Sequence, residues 1–181
     1  RSWDFCYDYF QDHPSPTEDM ELSCLHLGYY LASWGMLRGS SYLFKNTNAL
    51  HYRPVIEVIE RHNPTMRGWD VPAYLDQKRC AQYETVWADL REALLPDGGR
   101  SLTLISKVMM GVWGCIPSFD SYFVSTYRAL SSSRSERAAW GRANADALRM
   151  LHTVYDTHRN EIETVRHAHR VWSLSTGKPT A

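Results

Sequence analysis

Apolar residues recur at three- and four-residue intervals along nearly the whole chain, and no stretch shows the alternation of a half-buried strand. The spacing predicts a first helix over Ser2–Gln11, ended by His13-Pro14-Ser15-Pro16. A second helix, capped by Thr17, carries Glu18, Asp19 and Glu21 at its positive end and runs to near Gly39. Its apolar positions Met20, Leu22, Leu25, Leu27, Tyr30, Leu31 and Trp34 span so wide an arc that this helix is expected to be central and buried on several sides. A third begins at Asn48, turns Val55, Ile56 and Ile59 inward and stops at Asn63-Pro64. Asp70-Val71-Pro72 opens a fourth, with its proline in the first turn. That helix runs to about Leu95 with Tyr83, Val86, Trp87, Leu90 and Leu94 on one face. Pro96-Asp97-Gly98-Gly99 breaks it. Leu102–Trp113 and Ser121–Leu130 are helical, Ser131–Ser133 turns, and a long amphipathic stretch, kinked or split, runs from Arg134 to near Trp172. The expectation is an all-α, single-domain, irregular helical bundle over residues 1–181. The middle helices are too short for an up-and-down arrangement. The chain begins at Arg1 without a methionine, as a piece of a longer protein does.

Composition fits this class. Of 181 residues 44% are apolar and 13% aromatic, ample for one buried core. Seven Trp and eleven Tyr supply large rings for that core, and some could line a pocket that stacks on flat ligands. Twenty basic residues balance twenty acidic ones, which argues against a strongly basic coat. Local patches remain open: Arg134–Arg170 gathers arginines and histidines, either as a solvated helix face or as a phosphate-tracking surface. Cys6, Cys24, Cys80 and Cys115 form no CxxC or zinc spacing and read as buried thiols of a reducing cytosol. No run reaches membrane-spanning length and no signal peptide opens the chain, so a cytoplasmic location off the membrane is expected. The histidines suit neither a metal site nor a hydrolytic triad, and no cofactor is expected.

The chemistry is concentrated between Leu95 and Phe123. Leu95-Pro96-Asp97-Gly98-Gly99-Arg100-Ser101 joins two helices through paired glycines. The N–H groups after such a turn lack helical partners and can hold a phosphate, with Arg100 adding charge. The same turn also serves as a plain glycine-capped connection. Next comes Ile116-Pro117-Ser118-Phe119-Asp120. Ser118 is expected to be the N-cap, which puts Asp120 in the first helical turn, there either to favour the dipole or to stabilise a developing sugar cation.

Together these pieces resemble the helix-hairpin-helix DNA glycosylases, whose hairpin of the type L-P-G-x-G-[KR]-[KS]-T-A is followed by a helix and then by a proline–aspartate stretch. The resemblance spans about 30 residues. It implies that Asp120 is the catalytic acid, that Gly98, Gly99, Arg100 and Ser101 bind DNA, and that the enzyme is monofunctional. Serine stands here where members that also cut the backbone carry lysine. Asp97 replaces the first hairpin glycine, Gly98 and Gly99 are adjacent, and Leu102-Thr103 stands in place of Thr-Ala. Lys107 lies six residues beyond Ser101 and is the alternative catalytic residue.

A second stretch, Tyr29–Ser41, together with Gly114–Phe123, resembles an uncharacterised bacterial family, from which no activity follows. Within it Tyr30, Trp34 and Arg38 share one helical stripe and are expected to wall a base pocket beside Asp120; alternatively they belong to a tightly packed core helix. The sequence thus points to removal of a damaged or modified base from DNA, in repair or in defence against phage. Its rivals are a DNA-binding module without chemistry and a helical interaction or regulatory protein. The oligomeric state is not legible.

Overall fold

The computed structural model describes residues 2–179 and is an all-α domain. Ten α-helices follow in order: α1 Ser2–Asp12, α2 Met20–Ser33, α3 Tyr42–Asn46, α4 Arg53–Met66, α5 Gln77–Leu94, α6 Leu102–Trp113, α7 Ser121–Leu130, α8 Arg134–Ala139, α9 Ala145–Thr157 and α10 Arg159–Ala168. Among the described residues the only β pairing is an isolated bridge between Trp172 and Pro179.

Helix α6 is the axis of the domain. Nine of its residues, Leu104 to Met109 and Gly111 to Trp113, are buried, and α1, α2 and α5 pack around it. Gly111 makes the closest approach possible: a Cβ there would sit 2.4 Å from the Tyr30 ring. Helices α4 and α5 pair on the far side, and α9 lies across a 3₁₀ turn at Val71–Leu75. The core runs continuously through α1, α2, α4, α5, α6 and α9, and the four cysteines are buried in it as free thiols. Asn63 is the polar pin of the core. Its Nδ2 donates to the Pro14 carbonyl at 2.7 Å and its Oδ1 accepts from Trp113 Nε1 at 2.8 Å, so it ties α4 to both α6 and the loop after α1.

Several boundaries differ from those the spacing predicts. Thr17 does not cap α2; its N–H and hydroxyl both donate to Glu60 of α4, and Asp19 precedes the helix without a side-chain cap. Helix α2 stops at Ser33, well short of Gly39. Gly35 adopts φ +75°, and Met36 N and Gly35 N donate back to the Leu31 and Ala32 carbonyls, closing a Schellman turn. Leu22 and Leu25, expected inside, face solvent. Asn48 opens a 3₁₀ turn (Ala49–Tyr52), with α4 starting only at Arg53. Helix α4 runs through Pro64 to Met66. The helix expected from Asp70 is instead the 3₁₀ turn followed by α5, because Asp76 accepts from Arg79 N and starts a new helix. The C-terminal stretch is split three ways and ends at Ala168, before Trp172. A Ser133–Glu136 capping box starts α8, Asn144 caps α9, and His158 separates α9 from α10.

Replacing Asn63 with Leu strands the Trp113 N–H and the Pro14 carbonyl in the core. A loss of about 2–4 kcal/mol is expected, read as a lowered midpoint in urea unfolding with the helical circular dichroism retained before the transition.

Candidate functional site

The glycine turn leads directly into the buried axis. Gly98 and Gly99 take φ +85° and +130°, backbone that other residues adopt only under strain, and Gly98 N donates to the Leu95 carbonyl at 2.9 Å. Arg100 is exposed. Ser101 precedes α6 without capping it, and the N–H groups of Leu102, Thr103 and Leu104 have no protein acceptor among the described residues. Asp97 points its charge elsewhere, accepting a 3.0 Å hydrogen bond from Tyr42 Oη.

The first half of α6 then fixes the loop that carries Asp120. Thr103 Oγ1 donates to the Phe119 carbonyl at 3.1 Å, and Ser106 Oγ accepts from Phe119 N at 2.9 Å. Held this way, Asp120 is itself the N-cap of α7: its Oδ1 accepts from Phe123 N at 3.0 Å. This corrects the expected assignment of Ser118 as the cap. Ser118 is buried two residues earlier, and its Oγ has no partner. Asp120 remains half-buried rather than sealed in the core.

Lys107, one turn beyond Thr103, faces the same place. It is buried, its Nζ donates to the Trp34 carbonyl at 2.8 Å, and the ammonium lies 5.3 Å from the Trp34 ring centroid. Burial lowers its pKa from the ordinary lysine value; the Asp120 carboxylate works against this and Arg38 adds to it. Lys107 thus lies within range of the charges of both Asp120 and Arg38, residues more than 80 positions apart in the chain. Lys107 and Asp120 do not form a direct ion pair.

The expected aromatic wall is only partly there. Tyr30 is fully buried and donates its hydroxyl to the Lys107 carbonyl at 3.0 Å, so it supports α6 from inside and cannot stack on a ligand. Trp34 is exposed, and its Nε1 donates to Ser2 Oγ at 3.2 Å. Arg38 lies beyond the Schellman turn, so it shares no helical stripe with Tyr30 and Trp34, yet it reaches Lys107 electrostatically.

Comparison with family models, with curated proteins and with solved structures finds no match for this chain.

Five arginines in and beside the 134–170 stretch are engaged locally. Arg149 pairs with Asp146, Arg159 with Asp156 and Arg166 with Glu163, each three residues apart. Arg137 donates to the Ser131 carbonyl, and Arg128 to that of Arg137. Three arginines of this solvated helical face are thus offset locally, while over residues 134–170 seven arginines stand against five acids. Sequence reasoning passed over the Thr103–Ser106 hold on Phe119. It also ranked Lys107 below its place in the site, although a lone lysine within the apolar run Leu104–Trp113 was the available signal.

Asp120→Asn keeps a capping side chain but removes the charge that opposes the desolvation of Lys107. The variant is expected to fold within about 1 kcal/mol of the parent. Its Lys107 ammonium is expected to titrate at lower pH than in the parent, read from the lysine side-chain NMR resonances.

Proposed function

We propose that this protein acts on DNA as a helix-hairpin-helix glycosylase-like enzyme and removes a damaged or modified base without cutting the backbone. One observation carries the proposal. Asp120 and Lys107, with Trp34 and Arg38, converge beside a glycine turn whose helix donors are unpartnered. A phosphate accepted by the N–H groups of Leu102–Leu104, with Arg100 beside it, holds the DNA backbone at the start of α6. The target nucleotide leaves the stack toward Asp120. Water adds its oxygen to the deoxyribose C1′ as the bond from C1′ to the base nitrogen breaks; the base departs with the bonding electrons and takes up the proton that the added water gives up. The products are the free base and an abasic sugar. The Asp120 carboxylate stabilises the positive charge that develops on the sugar ring, its orientation held by the hydrogen bond from Phe123 N. Lys107 keeps its ammonium against the Trp34 carbonyl and tunes the field at that carboxylate. This role agrees with a monofunctional enzyme.

A second reading, a DNA-binding module without chemistry, is favoured by a specific observation: Asp120 already has a structural role as the cap of α7, and Lys107 is enclosed. One assay separates the two. Duplex carrying deaminated, alkylated or oxidised bases is incubated with the protein, then treated with alkali to reveal abasic sites. The enzyme reading expects strand breaks after alkali alone, and about a 100-fold or greater loss of rate in Asp120→Asn with DNA affinity retained. Salt-dependent binding without abasic sites supports the module, and no DNA binding at all contradicts both. Arg100→Ala is expected to weaken binding of every duplex alike and to reduce the salt slope by about one.

A further inference from the structure

Helix α2 has a second face that nothing in the domain covers. Its buried side carries Ser23, Cys24, Leu27, Tyr30 and Leu31. On the opposite side Leu22, Leu25, Tyr29 and Ala32 follow one another at alternating spacings of three and four, the seam that packs one helix against another. These are large apolar groups left in water: Leu25 is 55% and Tyr29 68% exposed. The seam does not stand alone. Beside it, between α2 and the 3₁₀ turn before α4, lies a hollow of about 410 Å³ walled by Met20, Cys24, Leu25, Ala49 and Leu50, with Glu21 and Arg53 at its edge. Leu50 is itself exposed and extends the apolar surface. A protruding ring and a hollow thus lie on one face, about two helical turns apart.

That pairing of knob and hole on the same surface is the requirement of a twofold interface, in which each copy offers both. We propose that α2 pairs antiparallel with α2 of a second copy of this chain, with the twofold axis near Leu25. Tyr29 of one copy then falls opposite the partner's Glu21 and Leu22, at the mouth of the partner's hollow. Its ring enters the apolar wall, and its hydroxyl meets the carboxylate and guanidinium at the edge. Leu25 meets the partner's Leu25 at the axis. The charge pattern favours the antiparallel sense. Glu18, Asp19 and Glu21 sit at the N-terminal end of each helix, so two copies side by side in the same direction would bring their acids together. In the antiparallel pair the acids lie at opposite ends, each beside residues 29–33 of the partner helix, which carry no acidic side chain, and the two helix dipoles oppose. The proposal is independent of the activity assigned above.

Sedimentation velocity over a range of concentrations tests it. The parent chain is expected to associate reversibly to twice its mass. Leu25→Glu is expected to stay monomeric, Tyr29→Ala to weaken association about tenfold or more, and Leu130→Glu, on an exposed apolar position of α7, to associate like the parent. A cross-link gives a second readout: in a Cys24→Ser background, since Cys24 lines the hollow, Leu25→Cys is expected to yield a disulfide-linked dimer on mild oxidation, whereas Leu130→Cys does not. A parent that remains monomeric overturns the proposal. So does an assembly that survives Leu25→Glu, one that Leu130→Glu dissolves, or a Leu25→Cys chain that fails to cross-link. Adsorption to lipid vesicles through this face, in place of self-association, overturns it as well.

Discussion

The structure depends on the double hydrogen bond by which α6 holds the backbone of Phe119. Thr103 and Ser106 lie one turn apart on α6 and take the carbonyl and the N–H of the same residue. A loop that would otherwise float past the helix end is clamped along its side. The clamp puts the next residue, Asp120, at the start of α7 and beside Lys107. Its partners on α6 are buried or half-buried, so each bond competes poorly with water and removing either leaves a polar group unsatisfied.

Burial of α6 supplies the rest of the geometry. A lysine in the middle of an apolar helix has to find acceptors, and Lys107 finds the carbonyl at the end of α2. That end exists because Gly35 closes a Schellman turn and exposes the Trp34 carbonyl to a cation. Tyr30 is packed against Gly111 and bonded to the Lys107 carbonyl, which fixes the register between α2 and α6. Two helices from distant parts of the chain thus meet through one small residue, one phenol and one ammonium. As a consequence Lys107 comes within range of the charges of Arg38 and Asp120.

Much of this was legible in the chain. The helical class, the positions of α1, α6 and α7, the inward faces of α4 and α5, and the buried thiols follow from spacing, because burial on one side of a helix leaves a periodic trace. Boundaries were less legible. Helix α2 ends short of the predicted Gly39 because Gly35 turns the chain, and Thr17 does not cap because it is held by Glu60, 43 positions away. Spacing alone favours Ser118 as the cap that Asp120 takes, since both are good capping residues and only the clamp on Phe119 decides between them. Tyr30 was placed in a pocket wall because periodicity locates a stripe without saying which neighbour covers it. The outer seam of α2 was hidden for the same reason. A helix apolar all round reads as central, and only the packing shows that one side is left open.

On the proposed function, the start of α6 and the Asp120 loop form one DNA-facing site. Backbone amide NMR during titration with a short duplex carrying a flexible abasic analogue tests it most directly. The largest shifts are expected to fall together on Gly98–Leu104 and on Asp120–Phe123, with α9 and α10 unmoved. Shifts confined to the arginine-bearing helices α8–α10, or an unchanged spectrum at saturating duplex, would contradict it.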